Sequence, residues 1–440
     1  MTDHQSWGRY PVAEQEVRYL RWRHDPLPPA VAGKSFLPYG NGRSYGDSCL
    51  NDGGILLDAR GLDRLLGFDP ATGILRCEAG VLLAEILEFA VPQGWFAPVT
   101  PGTRFVTLGG AIANDVHGKN HHRAGTFGCH VRRFELLRSD GSRVVCSPME
   151  NRELFAATIG GLGLTGVIVW AEIALMPIET PLIAAEDIRF GSLEEFFPIS
   201  EESDRAFEYT VAWIDCLAKG RSLGRGIFSR GNHRARPQPA HAPGPPRPLP
   251  FPVSIPFSLV NGLSLRAFNA LYYRKQMSRT VERVCHYEPF FYPLDRILMW
   301  NRMYGRKGFL QYQCVVPPAA GRPAMREILE RIALSGTGSF LAVLKTFGER
   351  SSPGMLSFPR SGPTLALDFP NEGKRTFDLL DRLDETVRAA GGRVYPAKDA
   401  RMSGDNFRAW FPAWTGFRKH IDPAFSSSFW RRAMQSSESK

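Results

Sequence analysis

Three glycine-rich segments, met in order between residues 38 and 166, constrain this chain more than any other feature. The first, residues 38–47, carries Gly40, Gly42 and Gly46. Glycine lets the backbone take positive φ and approach a ligand closely, and successive amides can then line an anion nest. The second, residues 101–122, opens a run of small apolar residues with Gly109 and Gly110 and closes with His117, Lys119, His121 and His122. Backbone of that kind suits packing against a large flat cofactor. The third, residues 160–166, lies between a predicted helix and a predicted apolar strand. None of the three is a Walker A loop or a Rossmann GxGxxG. The histidines lack a carboxylate or cysteine at ligand spacing, so no metal site is expected.

Short strands, turns and helices alternate around these loops. Residues 54–58 read as an apolar strand, and residues 65–79 as a hairpin turning at 69–73. Residues 81–90 read as a helix with Glu85 and Glu88 on its wet side, and residues 134–146 as a second hairpin turning at 139–142. Composition changes near residue 231, and nine prolines fall between Pro237 and Pro256. That density predicts a mobile, extended loop over 231–256 rather than a ladder or helix. Residues 308–316, 340–347 and 364–369 then read as strands of another sheet, and 376–390 as a helix. A length of 440 residues fits roughly two or three domains of about 150 residues.

Lys and Arg number 54 against 44 Asp and Glu, a net charge of +10. A basic surface suits anionic lipid or a phosphorylated substrate. The charges are spread with no dense tract, so nucleic-acid binding is not expected. Seven cysteines without a CxxC pair support neither a disulfide framework nor a zinc site, and a reducing cytoplasm fits them best. No apolar run approaches the roughly 18 residues of a membrane span, and the N-terminus has no signal-peptide pattern.

Taken together, residues 40–47, 101–128 and 160–168 resemble the vanillyl-alcohol-oxidase (PCMH-type) FAD-binding oxidoreductases and, among them, the family of decaprenylphosphoryl-ribose 2-oxidases. Residues 6–9, 300–305, 308–313, 395–401 and 422–425 carry the resemblance through nearly the whole chain, most weakly across 230–290. It implies an α+β fold. A two-subdomain PCMH-type FAD-binding domain (1–178) is completed by a C-terminal segment (391–440), and a substrate-binding domain with an antiparallel sheet (179–390) is inserted between them.

Carried over position by position, the resemblance assigns Tyr39, Gly40, Asn41, Gly42, Arg43, Ser44, Tyr45 and Gly46 to the FAD pyrophosphate and flavin flank. Gly102, Thr103, Thr107, Gly109, Gly110, Asn114, His117 and Gly118 line the cofactor. Gly163, Gly166 and Ile168 contact its adenosine side, and Tyr395 packs near the flavin. Lys119, Arg302, Gln311, Gln313, Lys345, Thr364 and Ala366 fall at substrate positions. Lys398, His117 and Tyr45 are the expected catalytic residues, Lys398 acting either as a base or as a cation beside the reduced flavin.

Two departures from the family pattern stand out. Many members of the superfamily place His after the Gly-x-Gly of the first loop and bond it to FAD; here the position is Arg43, so non-covalent FAD is expected. Ala366 and Thr364 stand where the family has Cys and Asn, and Phe291 stands near a family Tyr. The implied activity is oxidation of a sugar hydroxyl, that of the 2′-hydroxyl of a polyprenyl-phosphoryl pentose. It is the first half of an epimerisation completed by a separate NAD(P)H-dependent keto-sugar reductase, in the cytoplasm with peripheral contact at the inner membrane. Two alternatives stay open: an aldonolactone or alditol oxidase of the same superfamily, and an inactive basic protein bound to membranes. The first typically carries the covalent His and a C-terminal His-Trp-x-Lys, whereas this chain has Arg43 and, at 395–398, Tyr-Pro-Ala-Lys.

Overall fold

A computed structural model of the chain describes residues 4–235, 244, 247–251, 253 and 255–435. Its elements follow local chemistry. In the first hairpin, Leu65–Asp69 returns as Ile74–Glu78. The Asp69 carboxylate accepts from the Ala71 amide at 3.0 Å and the Thr72 hydroxyl at 2.6 Å, which closes the turn. The helix Leu83–Ala90 starts where the Glu85 carboxylate accepts from the Leu82 amide at 2.7 Å. It buries Leu83, Ile86, Leu87 and Ala90, one face at a 3.6 period. Each of its larger apolar side chains contributes about 1.5–3 kcal/mol of burial. Glu85 and Glu88 face water.

The fold is α+β, with mixed helix and antiparallel sheet. One five-stranded antiparallel sheet runs in the order Leu65–Asp69, Ile74–Glu78, Val167–Ala174, Val131–Leu137, Arg143–Cys146. Beside it, Ile55–Asp58 lies between Glu16–Tyr19 and Phe36–Tyr39 in a small parallel sheet. An eight-stranded antiparallel sheet holds the middle of the chain, in the order Thr280–His286, Leu182–Phe190, Gly226–His233, Tyr209–Ile214, Val343–Phe347, Gly362–Pro370, Phe309–Val315, Arg393–Val394. The helices Leu193–Ala206, Pro318–Ser335 and Lys374–Ala389 bury their apolar faces in the core cluster shared with it.

One feature differs from the reading by sequence. Most of the proline-rich stretch lies outside the described residues, but its described Leu249–Pro250 forms a short parallel pair with Ile297–Leu298. Proline is tolerated there because a two-residue edge needs few amides. Residues 391–440 touch both parts of the molecule. Their first strand, Arg393–Val394, pairs with Cys314 and Val315 at the edge of the eight-stranded sheet. Further on, Phe425 bridges Phe36, and Arg432 reaches both Asp47 (2.6 Å) and Asp399 (3.0 Å). Among the described residues no helix is long and apolar enough to cross a membrane.

Candidate active site

A cavity of about 630 Å³ runs between the glycine loops and the eight-stranded sheet. The glycines make its wall possible. A Cβ on Gly40 would stand 2.3 Å from the Thr107 hydroxyl oxygen, which itself accepts from the Gly110 amide to start the helix Leu108–Ala113. Gly42, at φ +58°, passes so close to the Tyr39 hydroxyl that a Cβ would lie 2.2 Å from it. At the far end Gly163, Gly166 and Ile168 line the cavity.

The first loop also fixes the catalytic end. The Tyr45 amide donates to the Ala397 carbonyl at 3.0 Å, and a Cβ on Gly46 would fall 1.6 Å from the Asp399 carbonyl. This close approach sets the Pro396–Lys398 turn against the loop, with the Lys398 ammonium 4.2 Å from the Tyr45 ring centre. Arg432, anchored on Asp47 and Asp399, clamps the same junction.

Sheet register builds the floor. Gln311 and Gln313 are two apart on one strand and share a face; across the ladder they meet Asp368 and Ala366. The Gln311 amide donates to Asp368 at 2.6 Å, and Tyr304 donates to the same carboxylate at 3.4 Å. The Gln313 amide donates to His117 Nε2 at 2.8 Å, which joins the second glycine loop to the sheet. On the next strand Lys345 donates to the Gly118 carbonyl at 2.6 Å. The Tyr395 hydroxyl donates to the Asn114 carbonyl at 2.7 Å, and its ring stacks on Phe358.

Burial shapes the charges of this cavity. It pulls Lys398 down to about 8, against the opposing pull of Asp368. It pushes Asp368 up to about 6, against Gln311 and Lys398. Lys345 falls to about 7 through burial and the neighbouring Lys119 and Lys398, and Lys119 to about 8 through burial and Arg283. Burial, reinforced by Lys345, holds His117 neutral far below its ordinary value. Tyr45 rises through burial and the nearby Asp368 carboxylate. Lys119, Lys345 and Lys398, with Arg43 and Arg283, outnumber the two carboxylates that line the cavity, Asp295 and Asp368, which suits an anionic ligand.

Most residues expected from the sequence line this cavity. From the first loop these are Tyr39, Gly40, Asn41, Gly42, Arg43, Ser44 and Tyr45. From the second they are Gly102, Thr103, Thr107, Gly109, Gly110, Asn114, His117, Gly118 and Lys119. Gln311, Gln313, Lys345, Ala366, Tyr395 and Lys398 complete the sheet side. Three residues stand off it. Gly46 is buried against the Asp399 carbonyl. Thr364 sits beneath Gln313 and donates to the Cys314 carbonyl at 2.8 Å, so it supports the floor rather than forming it. Arg302 turns away and donates to the Phe251 carbonyl at 3.1 Å. His121 and His122 are taken up structurally: His121 packs on Phe347, and His122 donates to the Phe207 carbonyl at 2.9 Å.

Asp368 was not anticipated. In the sequence it is one acid in an apolar strand, and only the register opposite Gln311 turns it into the cavity; an acid two residues past Ala366 was the available signal. Trp7 was likewise unforeseen as a wall residue, and Arg43 lies 4.0 Å over its ring.

The residues fit FAD. The wall uses glycines where side chains would fill the space. His117 Nδ1 and Arg43 Nε are buried without a protein partner, as expected of groups that face a polar ligand. Arg43 occupies the loop position where a covalent attachment would need a nucleophilic ring.

Comparison with known proteins agrees. Residues 30–147 match the family described as the FAD binding domain. The chain is 39% identical over 415 residues to decaprenylphosphoryl-beta-D-ribose oxidase of Mycolicibacterium smegmatis, covering 91% of this chain and 89% of that protein. It is 36% identical over 369 residues to an uncharacterized protein of Streptomyces coelicolor, covering 80% of this chain and 99% of that one. A shorter similarity, 34% over 113 residues, links it to the human Delta(24)-sterol reductase, with 26% and 22% of the two chains covered. Glycine cradle, lysine-rich floor and near full-length similarity together make this chain an FAD-dependent oxidoreductase of the decaprenylphosphoryl-β-D-ribose oxidase family.

Proposed function

We propose that the enzyme oxidises the 2′-hydroxyl of a pentose carried on a polyprenyl phosphate. The observation that carries this reading is that one sheet face and the second glycine loop bring hydroxyl-reading groups beside cations: Gln311 on Asp368, Gln313 on His117 of the loop, and Lys345 beside Lys119 of the loop. The first set suits a sugar, the second its phosphate. In this reading residues 1–178 and 391–440 hold the cofactor and 179–390 the substrate.

FAD supplies the acceptor for the hydride that leaves the sugar carbon. Lys398, poised near neutrality by burial, takes the hydroxyl proton. Asp368 holds Gln311 and, through its charge, keeps the Lys398 proton affinity from falling further. Neutral His117, fixed by Gln313, presents Nδ1 towards the ligand space. Thr364 orients Gln313 from behind. The product is a keto sugar, which a separate NAD(P)H-dependent reductase reduces from the other face, so that the pair epimerises the carbon. Long prenyl tails stay in lipid, so the enzyme works in the cytoplasm at the inner membrane surface.

Stopped-flow bleaching of the flavin tests this. Polyprenyl-phosphoryl pentoses are expected to reduce it much faster than free pentoses or aldonolactones at equal concentration. Equal rates would assign the site to a lactone or alditol oxidase, and no bleaching by any of them to a binding protein.

A further inference from the structure

Large exposed apolar side chains are unevenly spread over this molecule. Of eighteen among the described residues, twelve fall between residues 249 and 299. The helix Gly262–Lys275 is the centre of that patch. Its inner side is held by buried Leu265 and by Asn269, whose amide donates to Asp215 at 2.8 Å. Its outer side presents Leu263, 79% exposed, and Leu271, 72% exposed, two helical turns apart on one face. Phe257 and Met277 extend the patch at 66% and 80% exposure.

Charge and continuity indicate what covers it. The helix carries Arg266, Arg274 and Lys275 and no acidic residue. Apolar side chains spaced among cations suit the boundary between anionic headgroups and acyl chains, whereas the core of a protein interface is depleted of charge. The patch also runs into the active-site cavity: Tyr272, Ile297 and Met299 are exposed and line it as well. A ligand tail leaving the cavity there emerges onto the apolar face.

We propose that the face built on Gly262–Lys275 seats the enzyme on an anionic lipid bilayer, with the cavity mouth against the surface, so that a lipid-linked substrate reaches the flavin without its tail crossing water. The proposal rests on the polyprenyl-substrate reading for its purpose, though not for its test.

The test is co-sedimentation of the FAD-loaded full chain with vesicles of phosphatidylcholine alone or mixed with phosphatidylglycerol. The wild type is expected to pellet with the anionic vesicles and to be released by high salt. Leu263→Gln with Leu271→Gln is expected to weaken partitioning roughly tenfold or more, and Arg274→Glu with Lys275→Glu at least about fivefold. Met149→Gln, 94% exposed beside the edge strand Arg143–Cys146 of the five-stranded sheet, serves as the control and is expected to bind like wild type. Flavin absorbance reports that each variant is folded and loaded. A wild type that ignores anionic vesicles, or one that instead self-associates through the Leu263 and Leu271 face, overturns the proposal, as does unchanged binding by the leucine double variant. Vesicle binding needs no substrate. Failure of polyprenyl-phosphoryl pentoses to bleach the flavin would therefore remove the proposed substrate while leaving the vesicle result to decide the surface.

Discussion

The ammonium of Lys398 lies 4.2 Å from the centre of the Tyr45 ring, although the two residues are 353 positions apart. The contact exists because the first glycine loop and the C-terminal turn touch backbone to backbone, Tyr45 amide on Ala397 carbonyl. A buried lysine between an aromatic face and the Asp368 carboxylate is held near the protonation balance that proton transfer needs.

Lys398→Ala is expected to keep its FAD and lose turnover by at least about a hundredfold, the low end of what a positioned acid or base contributes. The measurement is the rate of flavin bleaching at saturating substrate, with the flavin spectrum as control. Near wild-type bleaching would remove Lys398 from the mechanism.

The pH profile carries a sign. Because burial lowers Lys398 to about 8, the neutral base becomes available as pH rises through that value. Flavin reduction is therefore expected to accelerate across a limb near 8. Asp368 raises the Lys398 value, so Asp368→Asn moves the limb to lower pH. A rate that falls with rising pH through the same region would give Lys398 the cationic role instead.

Arg43 cannot form the histidyl link. The purified protein is expected to be yellow, and acid or heat to release all its flavin into the supernatant. Flavin retained by the washed precipitate would contradict this.

Lys119 is a buried cation whose folded-state value, about 8, lies below its ordinary 10.5. The unfolded chain therefore binds more protons between those values, so this residue makes stability rise with pH across that window. The cost of the buried charge below pH 8 is on the order of 3 kcal/mol. Lys119→Met is expected to raise the melting temperature at pH 7, to flatten its rise towards pH 10, and to weaken a phosphorylated substrate at least about tenfold in KM. A lower melting temperature at pH 7 would show that the lysine is held favourably.

The sequence by itself determined the local elements and the cofactor loops. The hairpin Leu65–Asp69 to Ile74–Glu78 follows from Asp69 and Gly73, and the helix Leu83–Ala90 from its 3.6 period, because turn chemistry and amphipathic spacing act within a few residues. The glycines of the cofactor loops were legible as a pattern, and at 40 and 42 the reason is steric, since a Cβ there would stand 2.3 Å from Thr107 and 2.2 Å from Tyr39. Only the tertiary structure decided which polar groups meet. The strand Gly362–Pro370 is almost wholly buried, so its pattern does not say which side faces the cavity; its register against Phe309–Val315 does, bringing in Asp368 and leaving Thr364 beneath Gln313. Arg302 and Lys345 are both cations at expected substrate positions, yet one is spent on the Phe251 carbonyl and the other is buried in the cavity. Protonation was decided at the same level, since desolvation depends on every element packed around a side chain and not on its neighbours in sequence.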